Sequence, residues 1–384
     1  MNAAETPDKI QRRPPGLRIM VAIFLAVHFP LFVYPVLRLC HWLDLTPLVT
    51  ALLLIPIVSS QVVSRWLLRD VKQPLARGLR HASDFLLGLS PIVLMTLLVF
   101  EFAVLLGLVD VWSAAVMVLG ISMFISIVGL LFALFPVVKK VAFESSLLTG
   151  PLRFVQITDV HIGSRSKAFL DQVIRKVRAL QPEFLCITGD FIDASGVLEE
   201  ELAVLRTLEC PIYFTIGNHE RYEDLDKILA RMRALGVNIL RTNAIHHRQD
   251  VQVLGIDDRD DSNQVEQELV KIDVDRQAFG ILLYHRPKGF EAAAASGVDL
   301  MISGHTHNGQ IFPFNLVVNR VFDRVVGMYQ LGRARLYVSQ GTGTWGPVMR
   351  VGTRSEITLF EIEPISNQSG NVKIKSLDGK VKCR

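Results

Sequence analysis

Four long apolar stretches dominate the first third of the chain, running approximately from Leu17 to Leu39, Leu45 to Leu68, Phe85 to Val109 and Val111 to Val138. Each approaches the roughly 20 residues a helix needs to cross a bilayer, and none carries the polar face of a soluble amphipathic helix. They predict an all-α transmembrane bundle of four spans over residues 17–140, after an N-terminal tail at 1–16. The pattern then changes. Short apolar runs from Phe154 to Thr158, Phe184 to Ile187, Ile212 to Ile216, Ile281 to Tyr284 and Leu300 to Ile302 read as buried strands. Between the strands, Lys167 to Leu180, Leu198 to Leu208 and Glu223 to Leu235 have helical spacing, and Pro182, Pro211 and Gly236 mark their ends. Such alternation predicts an α/β domain over 151–363, joined through a linker at 141–150 and followed by a polar, then basic tail at 364–384 with one strand, Val372 to Ile374.

Composition agrees with this division. A mean hydropathy of +0.35 with 50% hydrophobic residues is too apolar for an ordinary soluble protein of 384 residues. The basic residues give the spans an orientation. Lys9, Arg12, Arg13 and Arg18 precede the first span, Arg65, Arg69, Lys72, Arg77 and Arg80 cluster between the second and third, and Lys139 and Lys140 follow the fourth. The other two connections offer Arg38 alone and Asp110. The positive-inside rule therefore predicts an inner (cell) membrane protein with its α/β domain and both chain ends on the cytoplasmic side. A cleaved signal peptide fits poorly, because Pro30 and Pro35 interrupt the first span, and Pro14-Pro15 spoils Arg12-Arg13 as an export signal. The net charge of +4 derives largely from the membrane flanks, so the expected partner is the lipid bilayer and no nucleic acid. Four scattered cysteines form no paired framework and are expected as free thiols. Nothing in the chain specifies an oligomeric state.

The strand ends carry the chemistry. In order they present Asp159-Val160-His161, Gly189-Asp190, Gly217-Asn218-His219-Glu220, a lone His285, and Gly304-His305-Thr306-His307. Imidazole and carboxylate together suit a borderline divalent transition metal rather than magnesium or calcium. Two such ions roughly 3.5–4 Å apart bind a phosphoryl oxygen, generate hydroxide near neutral pH and steady the leaving oxygen. Asp159 and His161, spaced i, i+2, are expected on an extended backbone that aims both at one face, and His305 and His307 repeat the spacing. His28, His41, His81, His246 and His247 stand outside these blocks and read as ordinary packed or solvent-facing histidines, and Asp257-Asp258 reads as a turn ending a strand.

The five blocks resemble the calcineurin-like metallophosphoesterases, whose pattern D-x-H, GD, GNH(D/E), H, GHxH is matched in order. The resemblance implies a four-layer α/β/β/α sandwich of two mixed sheets with two divalent metal ions between strand ends, manganese being the leading candidate and iron or zinc the alternatives. Carried across by position, Asp159, His161, Asp190 and His307 would hold one ion, and Asp190, Asn218, His285 and His305 the other, with Asp190 shared. His219 would donate a proton to the leaving group or contact phosphate, while Asp193 and Glu220 would orient the ligands from behind. The closing run Leu336 to Gly343, then Glu356 to Leu359, further resembles a bacterial branch in which some members carry N-terminal membrane segments and one is a UDP-diacylglucosamine pyrophosphatase.

The expected function is thus a membrane-anchored phosphodiesterase or pyrophosphatase acting on a phosphorylated lipid or nucleotide-lipid. The apolar run Ile311 to Val318 follows two of the histidines directly, so Phe312, Phe314 and Leu316 are candidate lipid contacts, against ordinary core or a surface strand. The alternatives are a tethered phosphodiesterase of soluble substrates such as cyclic nucleotides, and a non-catalytic sensor or scaffold that binds phosphate.

Overall fold

The computed structural model describes residues 17–68, 73–194, 196–259, 261 and 263–365. The N-terminal tail with Lys9, Arg12 and Arg13, the basic residues Arg69 and Lys72, and the expected strand from Val372 to Ile374 lie outside the described residues. The chain divides into two compact units, Met1–Phe124 and Ile125–Arg384.

The first unit is helical. Four segments are long and apolar enough to cross a membrane: Phe24–Trp42, Pro47–Leu67, Leu75–Leu105 and Val111–Leu134. The third helix starts at Pro74, well before the expected Phe85, because Pro at a first helical position needs no N–H partner and fixes a helical φ. Pro30 does not break the first span. It sits in a widened turn, Phe29–Val33, that lets one helical path continue past the missing N–H. Small residues let the helices approach, with Ala114 and Ala115 fully buried beside Leu97 and Trp42. Polar groups meet one another between these helices: Thr96 Oγ1 lies 2.7 Å from Ser122 Oγ, and Arg38 Nε donates to Glu101 at 2.6 Å.

The second unit begins within the fourth helix and contains two six-stranded sheets. The first comprises β1 (Val137–Ser145), β2 (Leu152–Ile157), β3 (Phe184–Thr188), β4 (Ile212–Thr215), β5 (Asn238–Ile239) and β12 (Glu356–Pro364), ordered β1-β12-β2-β3-β4-β5. The second comprises β6 (Asn243–Arg248), β7 (Val251–Gly255), β8 (Phe279–Leu283), β9 (Leu300–Ser303), β10 (Gly327–Leu331) and β11 (Ala334–Val338), ordered β10-β11-β9-β8-β7-β6. Alternation along each strand sorts side chains to two faces. Phe154, Phe184, Phe360, Ile281 and Ile302 fill the layer between the sheets. Val155, Ile157 and Leu185 face the other way onto Phe169, Val173 and Val177 of the helix Lys167–Ala179. On the far side, Leu254, Leu282 and Met301 pack on Val265 and Phe290 of two further helices. The result is the expected four-layer α/β/β/α sandwich of mixed sheets. Phe154 stacks between Phe184 and Phe360 at centroid distances of 4.8 and 4.7 Å, and such aromatic pairs add about 0.5–1.5 kcal/mol beyond their buried area.

Several boundaries differ from expectation. The fourth helix ends at Leu134, not Val138, because Pro136 cannot continue the helical hydrogen bonding. The stretch assigned as a linker at 141–150 is structural for half its length. β1 pairs in parallel along all of β12, from Val137 opposite Glu356 to Ser145 opposite Pro364. Its alternating burial has a period of two, a pattern masked in the sequence by Lys139 and Lys140. The helix expected from Leu198 to Leu208 is a single α-turn, Glu199–Leu202, followed by the tighter 3-10 turn Ala203–Thr207. Ile311 to Val318 is no strand. A helix, Phe314–Val321, follows Pro313, its apolar residues spaced for a helical face.

Candidate metal centre

In open α/β sheets the carboxyl ends of parallel strands are where ligands gather, since the chain leaves each strand there in a loop free to present side chains. Here β2, β3 and β4 run parallel, as do β7, β8 and β9. Asp159 follows β2, Asp190 follows β3, Asn218 follows β4, His285 follows β8, and His305 with His307 follow β9. The side chains converge in two groups. Asp159, His161 and His307 offer ligand atoms within 4.8 Å of one another, and so do Asp190, His285 and His305.

The backbone that achieves this is not extended. Asp159, His161, Asp190, His305 and His307 all have positive φ, between 48° and 72°. This corrects the expectation that i, i+2 spacing on a strand aims each pair. Left-handed residues turn the chain back on itself just past the strand, and such conformations in non-glycine residues persist only where surrounding contacts impose them. Asp159 N donates to Gly189 O at 3.1 Å and His161 N to Asp190 O at 3.1 Å, so the two loops clamp each other. Two glycines are needed for space alone. A Cβ at Gly217 would collide with the Asp190 carboxylate, and one at Gly304 with Asp159 and Thr158.

The polar contacts fix each ring. His285 Nδ1 is held by Thr188 O at 2.8 Å, which turns Nε2 toward Asp190 Oδ2 at 3.1 Å. His305 presents Nδ1, 3.2 Å from that same Nε2. His307 Nε2 lies 3.3 Å from Asp159 Oδ1 and 3.3 Å from His161 Nε2. Ring nitrogens facing one another at that distance need a proton or a cation between them, since bare lone pairs repel. Asn218 Oδ1 is buried and has no hydrogen-bond partner. Converging nitrogens, two carboxylates and an orphaned amide oxygen fit divalent metals.

The protonation states agree. Burial, opposed only in part by nearby carboxylates, lowers His305 to about 3 and His307 to about 4, so both are neutral at pH 7 as metal ligands must be. Burial disfavours ionised Asp159 and Asp190, yet His307 beside the first and His285 beside the second hold both carboxyls well below the usual range. Burial also opposes a charge on His285, but Asp190 overrides it and lifts His285 to about 10. A cation between that pair would take the proton's place.

Glu220 and Asp193 stand behind these groups. Glu220 accepts four backbone N–H bonds, from Asp190 at 3.0 Å, Phe191 at 2.6 Å, Ile192 at 3.0 Å and Gly217 at 2.8 Å, so one side chain pins two ligand loops. Burial and then the Asp190 charge push its carboxyl up to about 7 against those donors. Asp193 accepts from Ser164 N at 2.9 Å and approaches His161 Nδ1 at 3.5 Å. His219 lies at the edge, its ring edge-on to His161 at 4.7 Å and to Trp345 at 6.0 Å, and burial lowers its pKa. It also shares a 4.8 Å neighbourhood with His161 and Asp193.

Sequence reasoning missed Arg350. This side chain is fully buried, donates to His307 O at 3.1 Å and Gln340 O at 2.7 Å, and brings Nη2 within 3.3 Å of His307 Nδ1. No local pattern marks it, because its partners arrive from distant loops. Asp257 and Asp258 are more than a turn: both are buried, the first paired with Arg241 at 2.7 Å and the second with Arg286 at 2.7 Å. Phe312, Phe314 and Leu316 are exposed, and Phe322, at the end of the same helix, meets the His305 ring edge-on at 5.5 Å.

Comparison with known proteins agrees with this site. Residues 152–309 match the family model described as calcineurin-like phosphoesterase. The chain is 34% identical over 241 residues to an uncharacterized metallophosphoesterase of Campylobacter jejuni, covering 59% of this chain and 63% of that protein. It is 30% identical over 241 residues to an uncharacterized metallophosphoesterase of Helicobacter pylori, covering 60% and 64%. It is also 32% identical over 242 residues to a bovine transmembrane protein with metallophosphoesterase domain, covering 55% and 53%. The chain thus spans less than two thirds of the length of these relatives.

Proposed function

This chain carries a calcineurin-like metallophosphoesterase domain, and from that premise we propose that it is a membrane-anchored phosphohydrolase that cleaves a phosphodiester or pyrophosphate bond in a lipid or lipid-linked nucleotide such as UDP-diacylglucosamine. The observation that carries the reading is the pair of neighbouring ligand groups, Asp159, His161 and His307 in one and Asp190, His285 and His305 in the other, with His219 beside His161. Asp159, His161, Asp190 and His307 would hold one divalent ion and Asp190, Asn218, His285 and His305 the other. Bound there, the two ions, manganese foremost, supply Lewis acidity at a phosphoryl oxygen and a lowered pKa for an attacking water. The protein's own part is positioning. Glu220 and Asp193 hold the ligand loops, and His219 offers a hydrogen bond or proton to the leaving oxygen.

Membrane anchoring is supported by the four apolar helices and by the bovine relative's name. The acyl-bearing substrate is supported by the exposed apolar residues that follow the site, Phe312, Phe314 and Leu316. Full-length protein in detergent with manganese is expected to hydrolyse bis-p-nitrophenyl phosphate and to lose that activity on chelation. Metal binding without any turnover would favour the sensor. A diacylated nucleotide is expected to be a better substrate than its chain-free headgroup, because each buried CH₂ contributes about 0.8 kcal/mol. Equal kcat/KM for the two, or activity on cyclic nucleotides alone, would overturn the lipid assignment.

The loop charges support a catalytic domain on the cytoplasmic side of an inner membrane. Alkaline phosphatase fused after Lys140 or Glu363 is expected to be inactive and a fluorescent protein at the same points bright. The reverse result would mean that the number or direction of the spans is wrong.

A further inference from the structure

We infer that the helix Phe314–Val321 lies in the bilayer interface and holds the metal centre at headgroup depth. The inference rests on the reading of Val111–Leu134 as a membrane-crossing helix, and extends it to a segment outside the spans. The helix exposes an apolar face, with Phe314 56%, Val317 50% and Val321 68% accessible, while Val318 turns inward. An exposed face of this kind on a soluble domain needs a cover.

What covers it is decided by how the segment is tied to the last span. Phe312 N donates to Val351 O at 2.9 Å, and Val351 N to Gln310 O at 3.0 Å, so the start of the segment is bonded to the chain at Val351. The neighbouring Arg350 N donates to Gly129 O at 2.9 Å. Gly129 is the point of contact, since a Cβ there would press on Val351, the Arg350 carbonyl and Met349. Ser355 completes the attachment, its N donating to Phe132 O at 3.2 Å and its Oγ to Ala133 O at 3.1 Å. Gly129 precedes Leu134 by five residues, about 7–8 Å along the helix axis. The loop that carries the segment is therefore fastened to the span on the bilayer side of its end, within the depth of an interfacial layer, where amphipathic helices bury their apolar face about 5–10 Å. Trp345 is bonded to the start of the same segment. It is 55% exposed, its backbone N–H donates to Gln310 Oε1 at 3.0 Å, and its ring stands beside His219. Tryptophan favours the membrane–water interface, having an apolar body and one N–H.

The occupant is thus the bilayer that the span crosses, and a phosphorylated headgroup would reach His219 without leaving it. Site-directed spin labelling tests this in the full chain with its four cysteines replaced, metal-loaded and active, in vesicles of phosphatidylcholine and phosphatidylglycerol. Labels are placed through Val317→Cys on the helix, Leu131→Cys in the last span and Val270→Cys on an exposed turn. The ratio of collision with oxygen to collision with a water-soluble nickel chelate is expected to be several-fold higher at 317 and 131 than at 270. A lipid-like ratio at 131 with a water-like ratio at 317 would overturn the interfacial helix and leave the anchored enzyme standing. Water-like ratios at both would overturn the membrane-crossing reading as well. A label at 317 shielded from both reagents would mean that protein covers the helix, and would also overturn the inference.

Discussion

Asp190→Asn is expected to abolish turnover and to release metal, both measured on the same preparation by rate and by metal stoichiometry. Asp190 belongs to one ligand group and meets the other through its carbonyl, which accepts from His161 N at 3.1 Å, while Oδ2 is 3.1 Å from His285 Nε2 and 4.0 Å from His219 Nε2, and Oδ1 accepts from His219 N at 2.8 Å. An amide keeps the shape but loses the one negative charge that both ions would share. Altering groups merely behind a ligand costs about 10–100-fold in metal affinity or activity, so removing a shared ligand charge should cost more. Two metals per chain with a near-normal rate would show that the centre is assembled some other way. The same substitution also removes what holds His285 protonated in the metal-free protein, so residual metal binding should become less dependent on pH around neutrality.

His219→Ala separates two roles that geometry leaves side by side. The ring touches His161 and shares a neighbourhood with Asp193, which a third ligand would do, yet it also stands at the open edge beside Trp345, as a group facing substrate would. As the group that meets the leaving oxygen, its loss should leave both metals bound and lower kcat by roughly 10²- to 10⁴-fold. The loss should be larger on an ester with a poor leaving group than on a nitrophenyl ester, whose leaving oxygen needs no proton. Loss of one metal would make His219 a ligand instead. An unchanged rate on the poor leaving group would remove it from the chemistry.

Both predictions depend on loops that no strand geometry would have produced. The residue types and their order were readable because metal chemistry restricts them: a divalent ion accepts few donors, and a glycine beside a carboxylate, as at Gly217 and Gly304, leaves no room for a side chain. The route by which Asp159 and His161 come to face the same ion was not readable. Spacing suggested an extended strand, whereas both residues take left-handed φ in a loop braced by Gly189 and Asp190. Arg350 is the sharper case. An arginine in a glycine-rich loop looks solvated, and only folding brings Gln340, Gly343 and His307 around it.

The apolar elements divide in the same way. Four apolar stretches are visible from composition because hydrocarbon tolerates few charges over a span's length. Ile311 to Val318 could have been core, strand or surface, since a short apolar run is compatible with all three. Its helix and its exposure were settled by Pro313, by the inward turn of Val318 and by bonding through Val351. β1 is similar, for its pairing with β12 joins residues more than two hundred positions apart. By itself, then, the sequence determined which atoms are available to bind metal and which segments avoid water, because those properties belong to single side chains and to local composition. Tertiary structure decided how the loops turn, which arginine is buried behind the ligands, and which apolar face remains uncovered. Those outcomes depend on close packing and hydrogen bonds between residues that lie near each other only after the chain has folded.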